Sequence, residues 1–424
     1  MRSSIIGGQV TPAISGMDRE VKHNKGVRRT GYYIVLGMAA KFFVDTAGQV
    51  FDPFLRQISS GIGTTVQIMG VILAVRSLVG LTAPIWGAVA DRRGYRTILQ
   101  ICLCIAGAGT FVSVLMESAL LFAVFIVIGG IGVAGFKPNL HAYLSGMIPY
   151  EKRGRGLGIV EYSYALAGVL GLPAIGFLIE AMGWKVPFYL LGGFLVLMAA
   201  VFFSLPRAKI AAPRAGSAEP RDTVRTGSGL LGFFRFGSNA VSAWASIAVM
   251  GLVIFANVHL SIIYGVWLGG EYGLGPARLG SVSFIFGIGD LAMSIMVSLY
   301  IDRLGKRRNI VFGTMGALAG FLLLPLLNRG LVPAVAGVAF VRICFQAIIL
   351  GLFPLISEQV PDQRGKAISM GIAAGLLGST FASVTGPAAY LRFGVWGIGP
   401  VGAAVMAAVL GVTLFLVEEG QASR

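Results

Sequence analysis

The same short basic loop occurs twice in this chain, each time at the end of a long apolar segment. One copy runs Gly87-Ala88-Val89-Ala90-Asp91-Arg92-Arg93-Gly94-Tyr95-Arg96, and the other Tyr300-Ile301-Asp302-Arg303-Leu304-Gly305-Lys306-Arg307-Arg308. Asp91 and Asp302 stand 211 positions apart, about half of the 424 residues. A second pair of motifs, Pro149-Tyr150-Glu151-Lys152-Arg153-Gly154 and Pro361-Asp362-Gln363-Arg364-Gly365, repeats at 211 to 212. Two motifs at one shared offset mean a duplicated unit. The apolar segments around them make that unit a bundle of membrane helices.

Composition agrees. Apolar residues make up 56% of the chain and charged residues 12%; a soluble domain carries about twice that charge. Lipid is therefore the solvent for most of the surface. The formal charge of +16 sits in short clusters between apolar runs, which argues against a nucleic-acid partner. The three cysteines lie inside apolar stretches, with no disulfide or metal spacing, and read as small core residues. No metal or cofactor is expected, and no Walker loop is present to hydrolyse ATP.

A bilayer span takes about 20 mostly apolar helical residues. Six such segments precede a central polar stretch, at 32–55, 66–90, 97–116, 120–147, 156–181 and 186–205. Six follow it, at 240–267, 278–301, 309–327, 332–357, 366–391 and 395–417. The expected division is a basic, disordered leader over 1–30, a first bundle over 31–205, a linker over 206–237, a second bundle over 238–417 and a tail over 418–424. Lys and Arg concentrate in alternate loops, which by the positive-inside rule puts leader, linker and tail in the cytoplasm. The expected location is a bacterial cytoplasmic membrane. The fold class is all-α, with two six-helix bundles related by an axis along the membrane normal, an arrangement that leaves a polar gap between them near mid-membrane. The repeat makes a monomer sufficient.

In these motifs the chain resembles a twelve-helix transporter of the major facilitator superfamily. Gly87, Asp91, Arg92, Gly94 and Arg96 match the family's loop between helices two and three, and Asp302, Arg303, Gly305 and Arg307 match its echo between helices eight and nine. The resemblance implies that these loops lock the halves together on the cytoplasmic side in one state, with Arg92 and Arg96 contacting acids or helix C-termini. Gly94 would permit the tight turn. It also implies a cavity lined by helices one, four, seven and ten. Proton antiporters of the family carry an Arg in helix four and a Gly-Pro pair in helix five. Here the runs are Phe125-Ile126-Val127-Ile128-Gly129-Gly130 and Gly171-Leu172-Pro173-Ala174-Ile175-Gly176, which weakens a drug-exporter assignment.

Charges inside the spans carry the site. Each costs roughly 2.5 to 3.5 kcal/mol at a helix centre, so each should face a partner or water. Lys41 and Asp45 are spaced to pair on one helical face, and Asp52-Pro53 reads as the outer end of helix one. Arg76 lies in helix two, Lys137 and His141 in helix four, Glu161 in helix five, Asn257 and His259 in helix seven, Asp290 in helix eight, and Arg342 and Gln346 in helix ten. Lys41, Lys137 and Arg342 would favour an anionic or zwitterionic substrate. Asp45 and Glu161 are candidate proton carriers, and His141 or His259 could titrate instead. The plainer alternatives are a structural Lys41–Asp45 pair, an Arg76 that merely neutralises Asp45 or Glu161, a wetted His259, and a Lys137 that snorkels to the interface. Asp290 has no sequence-local partner.

The expected function is secondary transport of a small organic solute by alternating access, coupled to protons or another ion. A multidrug efflux antiporter is the alternative. A membrane-embedded enzyme would need clustered acids such as Asp-x-x-x-Asp, which are absent. A non-transporting scaffold would have no use for so many costly intramembrane charges.

Overall fold

The computed structural model describes residues 13–148, 150–206, 236, 239–360 and 363–418. Their ordered elements are helices. Within lipid every backbone N–H and C=O must be satisfied inside its own segment, which a helix does.

Eleven unbroken spans and one bent pair make twelve. The bent pair, α1, joins Gly31–Gln49 to Phe51–Ile62 at 57°. The rest of the first half is α2 (Val66–Arg93), α3 (Tyr95–Val112), α4 (Ala119–Met147), α5 (Gly156–Met182) and α6 (Val186–Ser204). The second half is α7 (Ala240–Glu271), α8 (Pro276–Ile301), α9 (Lys306–Leu327), α10 (Leu331–Gln359), α11 (Arg364–Phe393) and α12 (Val395–Phe415).

Three expectations need correction. The first span does not stop at Leu55 but runs on to Ile62. Pro53 removes one helical N–H and crowds the carbonyl four residues back, which bends the helix instead of ending it. Phe51, Pro53, Phe54, Leu55 and Ile58 are all buried beyond the bend. The leader expected to be disordered contains the start of a helix at Ala13 that continues into α1; residues 1–12 lie outside the described residues. Cys102 and Cys344 are buried, but Cys104 is exposed on α3. The expected linker falls almost wholly outside the described residues.

The repeat is visible in backbone detail. Gly94 and Gly305 turn the chain between the second and third helices of each half with φ of 91° and 86°, values that a side chain would strain. From the next turn, Arg96 donates to the Leu205 carbonyl after α6, and Arg307 to the Thr413 and Leu414 carbonyls at the end of α12. Each guanidinium thus caps the negative end of the last helix in its own half.

The halves touch from mid-membrane to the face opposite the basic loops. Small residues make that approach possible. A Cβ on Gly265 of α7 would lie 2.1 Å from the Pro53 carbonyl oxygen of α1. One on Gly70 of α2 would lie 2.3 Å from the Ser383 oxygen of α11, and one on Gly176 of α5 would lie 2.5 Å from the Pro276 oxygen of α8. Ser77 meets Ser379 at 3.1 Å, and the Ala277 N–H at the start of α8 donates to Glu180 of α5 at 2.9 Å. Toward the basic loops the bonds turn inward to each half. Asp91 accepts from Tyr95 at 2.5 Å within the first half, and Lys306 pairs with Glu358 within the second. The close approaches between the halves thus lie away from the basic loops.

Candidate functional site

Two charged clusters sit inside the spans, one in each half. The first is built on α1, α4 and α5. Lys41 donates to Asp45 Oδ2 at 2.9 Å, to Glu161 Oε2 at 3.1 Å and to Ser163 Oγ at 3.2 Å. Lys137 reaches Asp45 Oδ1 at 2.8 Å, and His141 Nε2 meets Glu161 Oε1 at 2.7 Å. Lys41 and Asp45 are buried, whereas the Glu161 side chain is 52% exposed. The cluster therefore runs from a dry end at Asp45 to an open end at Glu161 and His141. Ser163 completes it by donating to Asp45 at 2.8 Å.

The second cluster is built on α7, α8 and α10. Arg342 Nη2 donates to Asp290 Oδ2 at 2.7 Å, and its Nη1 to Ser261 Oγ at 3.2 Å. Its guanidinium lies 5.5 Å from the centre of the Phe286 ring. One turn along α10, Gln346 donates to Ser294 at 2.8 Å. Asn257 is half-buried one turn before Ser261 on the same face of α7, with no hydrogen bond among the described residues.

Several expected site residues are placed differently. Arg76 pairs with neither Asp45 nor Glu161; it lies over the Phe51 ring at 5.2 Å, beside the Ala47 carbonyl, with Asp52 as the acid in electrostatic reach. Lys137 does not snorkel to the interface, because Asp45 holds it. His259, two positions from Asn257 and Ser261, points away from that face. It is fully buried, stacked on Phe255 at 5.5 Å and packed against Gly386 of α11. It is neither wetted nor part of the clusters. Asp290 has a partner after all, 52 positions along the chain. Of the repeated loops, Arg92 and Arg303 are exposed, Gly87 has open space around it, and the Asp302 side chain lies outside the described residues. Asp91, Arg96 and Arg307 each bond within their own half.

Asp52 is the acid that the sequence reading passed over. It stands at the bend of α1, not at an outer end, and lines a small void with Gln49, Gly168, Tyr264, Ser283, Phe286 and Arg342. Gln49 fixes the bend by donating to the Tyr164 carbonyl at 3.0 Å, where α5 enters a wide turn over Ala167–Gly171. The available signal was Phe51, Phe54, Leu55 and Ile58, an apolar helical period continuing past the proline.

A twelve-span helical protein of two equivalent halves, carrying a charged cluster in each half, is a membrane transporter in architecture. The Major Facilitator Superfamily model matches residues 37–264 and 246–424, and the chain belongs to that family. It is similar to the MFS-type transporter YwfA of Bacillus subtilis, at 22% identity over 90% of this chain and 91% of the relative. It is also similar to Multidrug resistance protein 2 of the same organism, at 20% identity over 81% and 87%. An MFS-type efflux pump of Mycolicibacterium smegmatis is 26% identical over 55% of this chain and 52% of its own length. Among solved structures, a D-xylose–proton symporter superposes with a TM-score of 0.73 at 18% identity, covering 92% of this chain and 98% of its own. The inward-open xylose transporter XylE of E. coli superposes at 0.71, with 16% identity and coverage of 93% and 98%. The chain is thus a multi-pass integral membrane protein with the fold of this transporter family.

Proposed function

We propose that the protein is a proton-coupled secondary transporter for a small anionic or zwitterionic organic solute in a bacterial cytoplasmic membrane. The basic loops and both termini face the cytoplasm, so the described state is inward-facing. One observation carries this reading: each half holds a charged cluster inside its spans, and the close approaches between the halves lie at the level of those clusters and away from the basic loops. Ionised groups at that depth are costly unless they serve a pathway. Lys41, Asp45, Lys137, His141 and Glu161 form the first wall of the pathway, and Asp290, Arg342, Gln346 and Asn257 the second. Rocking of one half against the other would expose the same walls to the opposite face. Asp91, Gly94 and Arg96, with Asp302, Gly305 and Arg307, would close the loop side in the alternate state.

Reconstitution tests the reading. Purified protein in liposomes containing a pH dye should show proton movement on addition of a transported solute, scanned over anionic, zwitterionic and cationic compounds. Solute flux indifferent to a pH gradient would remove the coupling. A multidrug exporter is the second reading, favoured by the names of two relatives and by the exposed Glu161 carboxylate. It predicts flux of lipophilic cations instead.

A further inference from the structure

Two unmatched groups line one void at the join between the halves. Asp52, on α1 of the first half, has charged neighbours but no hydrogen bond or ion pair among the described residues. Arg342, on α10 of the second half, commits its two terminal nitrogens to Ser261 and Asp290 and leaves its buried Nε without an acceptor. Both border the same void, which has room for about one water. A buried donor without an acceptor costs about 1 to 3 kcal/mol. Such groups persist where a ligand, a proton or another conformation supplies the partner.

Charge counting narrows what that partner is. The ionised groups around the void are Asp52, Arg76 of α2, Arg342 and Asp290 of α8, and their formal charges cancel. Tyr164 of α5 and Tyr264 of α7 add hydroxyls close enough to sense Asp52 and Arg342. The next acid, Asp45, is already matched by Lys41 and Lys137, and Glu161 by Lys41 and His141. The lysines expected to attract an anion are thus compensated within their own cluster. A proton on Asp52 would leave the void one positive charge in excess, with a guanidinium N–H free to donate. One monovalent anion restores neutrality, whereas a cation or a dianion does not.

We propose that Asp52 is the proton-binding acid of the transport cycle, and that its protonation opens the void beside Arg342 to the anionic group of a small monoanionic solute. Proton and solute then travel together. The empty carrier and the doubly loaded carrier are neutral at this point, and only the half-loaded forms bury a net charge, which disfavours their reorientation. When Asp52 is ionised and the site is empty, Arg342 is its natural partner across the join. The inference rests on the proton-coupled reading above and adds the acid and the solute class.

The test uses full-length protein in detergent with methanesulfonate and propionate as probes, and succinate and tetramethylammonium as controls. Thermal stabilisation is followed from mildly acidic to mildly alkaline pH. The wild type should bind the monoanions with an apparent affinity falling about tenfold per pH unit above the titration of Asp52. Asp52→Asn, a fixed neutral form, should bind them with no such pH dependence, and Arg342→Gln should lose them. Asp52→Ser serves as a second neutral variant if the first does not fold. Retention of the wild-type pH dependence in Asp52→Asn, a preference for either control, or no stabilisation by the monoanions in wild type and variant alike would overturn the proposal. Proton-driven uptake of labelled methanesulfonate into liposomes separates the two levels. Coupling that survives Asp52→Asn but not Asp45→Asn would reject Asp52 and leave proton coupling standing. Uptake without coupling in the wild type would reject the broader reading.

Discussion

Arg96 and Arg307 occupy equivalent places in the two halves, and each donates to carbonyl oxygens at the end of the last helix of its own half, at 2.9 Å for Leu205 and 2.7 Å for Leu414. The loops of the repeat therefore do structural service within each half.

Arg96→Met and Arg307→Met keep most of the side chain's stem and remove the donors. Each should cost about 1 to 2 kcal/mol, the worth of a charge-assisted bond at a helix C-terminus. Thermal unfolding in detergent would measure it. Similar losses from the two variants are expected, since the two contacts are alike; no loss from either would reduce these residues to topology-setting charges.

The Lys41–Asp45 pair is buried, so removing one partner should hurt more than removing both. Asp45→Leu alone leaves Lys41 with Glu161 as its remaining acid and takes the carboxylate from Lys137, so the loss should fall below the about 3 to 5 kcal/mol of a wholly uncompensated buried ion. Adding Lys41→Met should recover part of that loss. Equal stability of the single and double variants in an unfolding series would contradict the assigned coupling.

Gly265 allows α7 to reach the Pro53 carbonyl of α1, where a Cβ would lie 2.1 Å from oxygen. Gly265→Ala should oppose closure of the face away from the loops and shift the population toward the opposite opening by about tenfold or more, ~1.4 kcal/mol. Spin labels at the exposed positions Ser60 and Arg278 would report a longer mean distance than in the parent protein. An unchanged distance distribution would mean that the closure tolerates the methyl group.

Lys185 donates to Glu117 at 2.9 Å on the surface, outside the spans. That hydrogen bond holds the Glu117 carboxyl below its ordinary value and the Lys185 ammonium above its own. The depressed carboxyl contributes above the ordinary glutamate range and is lost as pH falls through its lowered value. The raised ammonium contributes below the ordinary lysine range and is lost as pH rises through its raised value. Both groups are open to solvent, so added salt should weaken the effect. Titrating labelled Glu117 by NMR in Lys185→Met should return it to the usual glutamate range; an unmoved titration would exclude the pairing.

The repeat and the number of spans were legible in the chain because both are local. A hydrophobic stretch of about 20 residues must become a helix in lipid, and Asp91 and Asp302 announce the duplication. The Lys41–Asp45 pair was legible for the same reason, since one helical turn joins its members. The Asp52 site was not. A proline after an acid reads equally as the end of a span or as a bend within it, and only packing against α7 and α8 decides which. The Arg342–Asp290 pair joins positions 52 apart on separate helices. Nor was it legible that His259, two residues from Ser261, would turn away from the clusters, because the rotation of a helix apolar on all sides is set by its neighbours.

The amino-acid sequence alone determined that this chain is a duplicated bundle of lipid-spanning helices with ionised groups inside it, since apolar length, loop charge and repeat spacing are properties of contiguous residues. Only the tertiary structure decided which of those groups neutralise one another, where the halves meet, and that Asp52 and an N–H of Arg342 stand unmatched at their join among the described residues. The physical reason is that ion pairing acts over a few ångströms in space, and segments far apart in the chain come that close only when the helices pack.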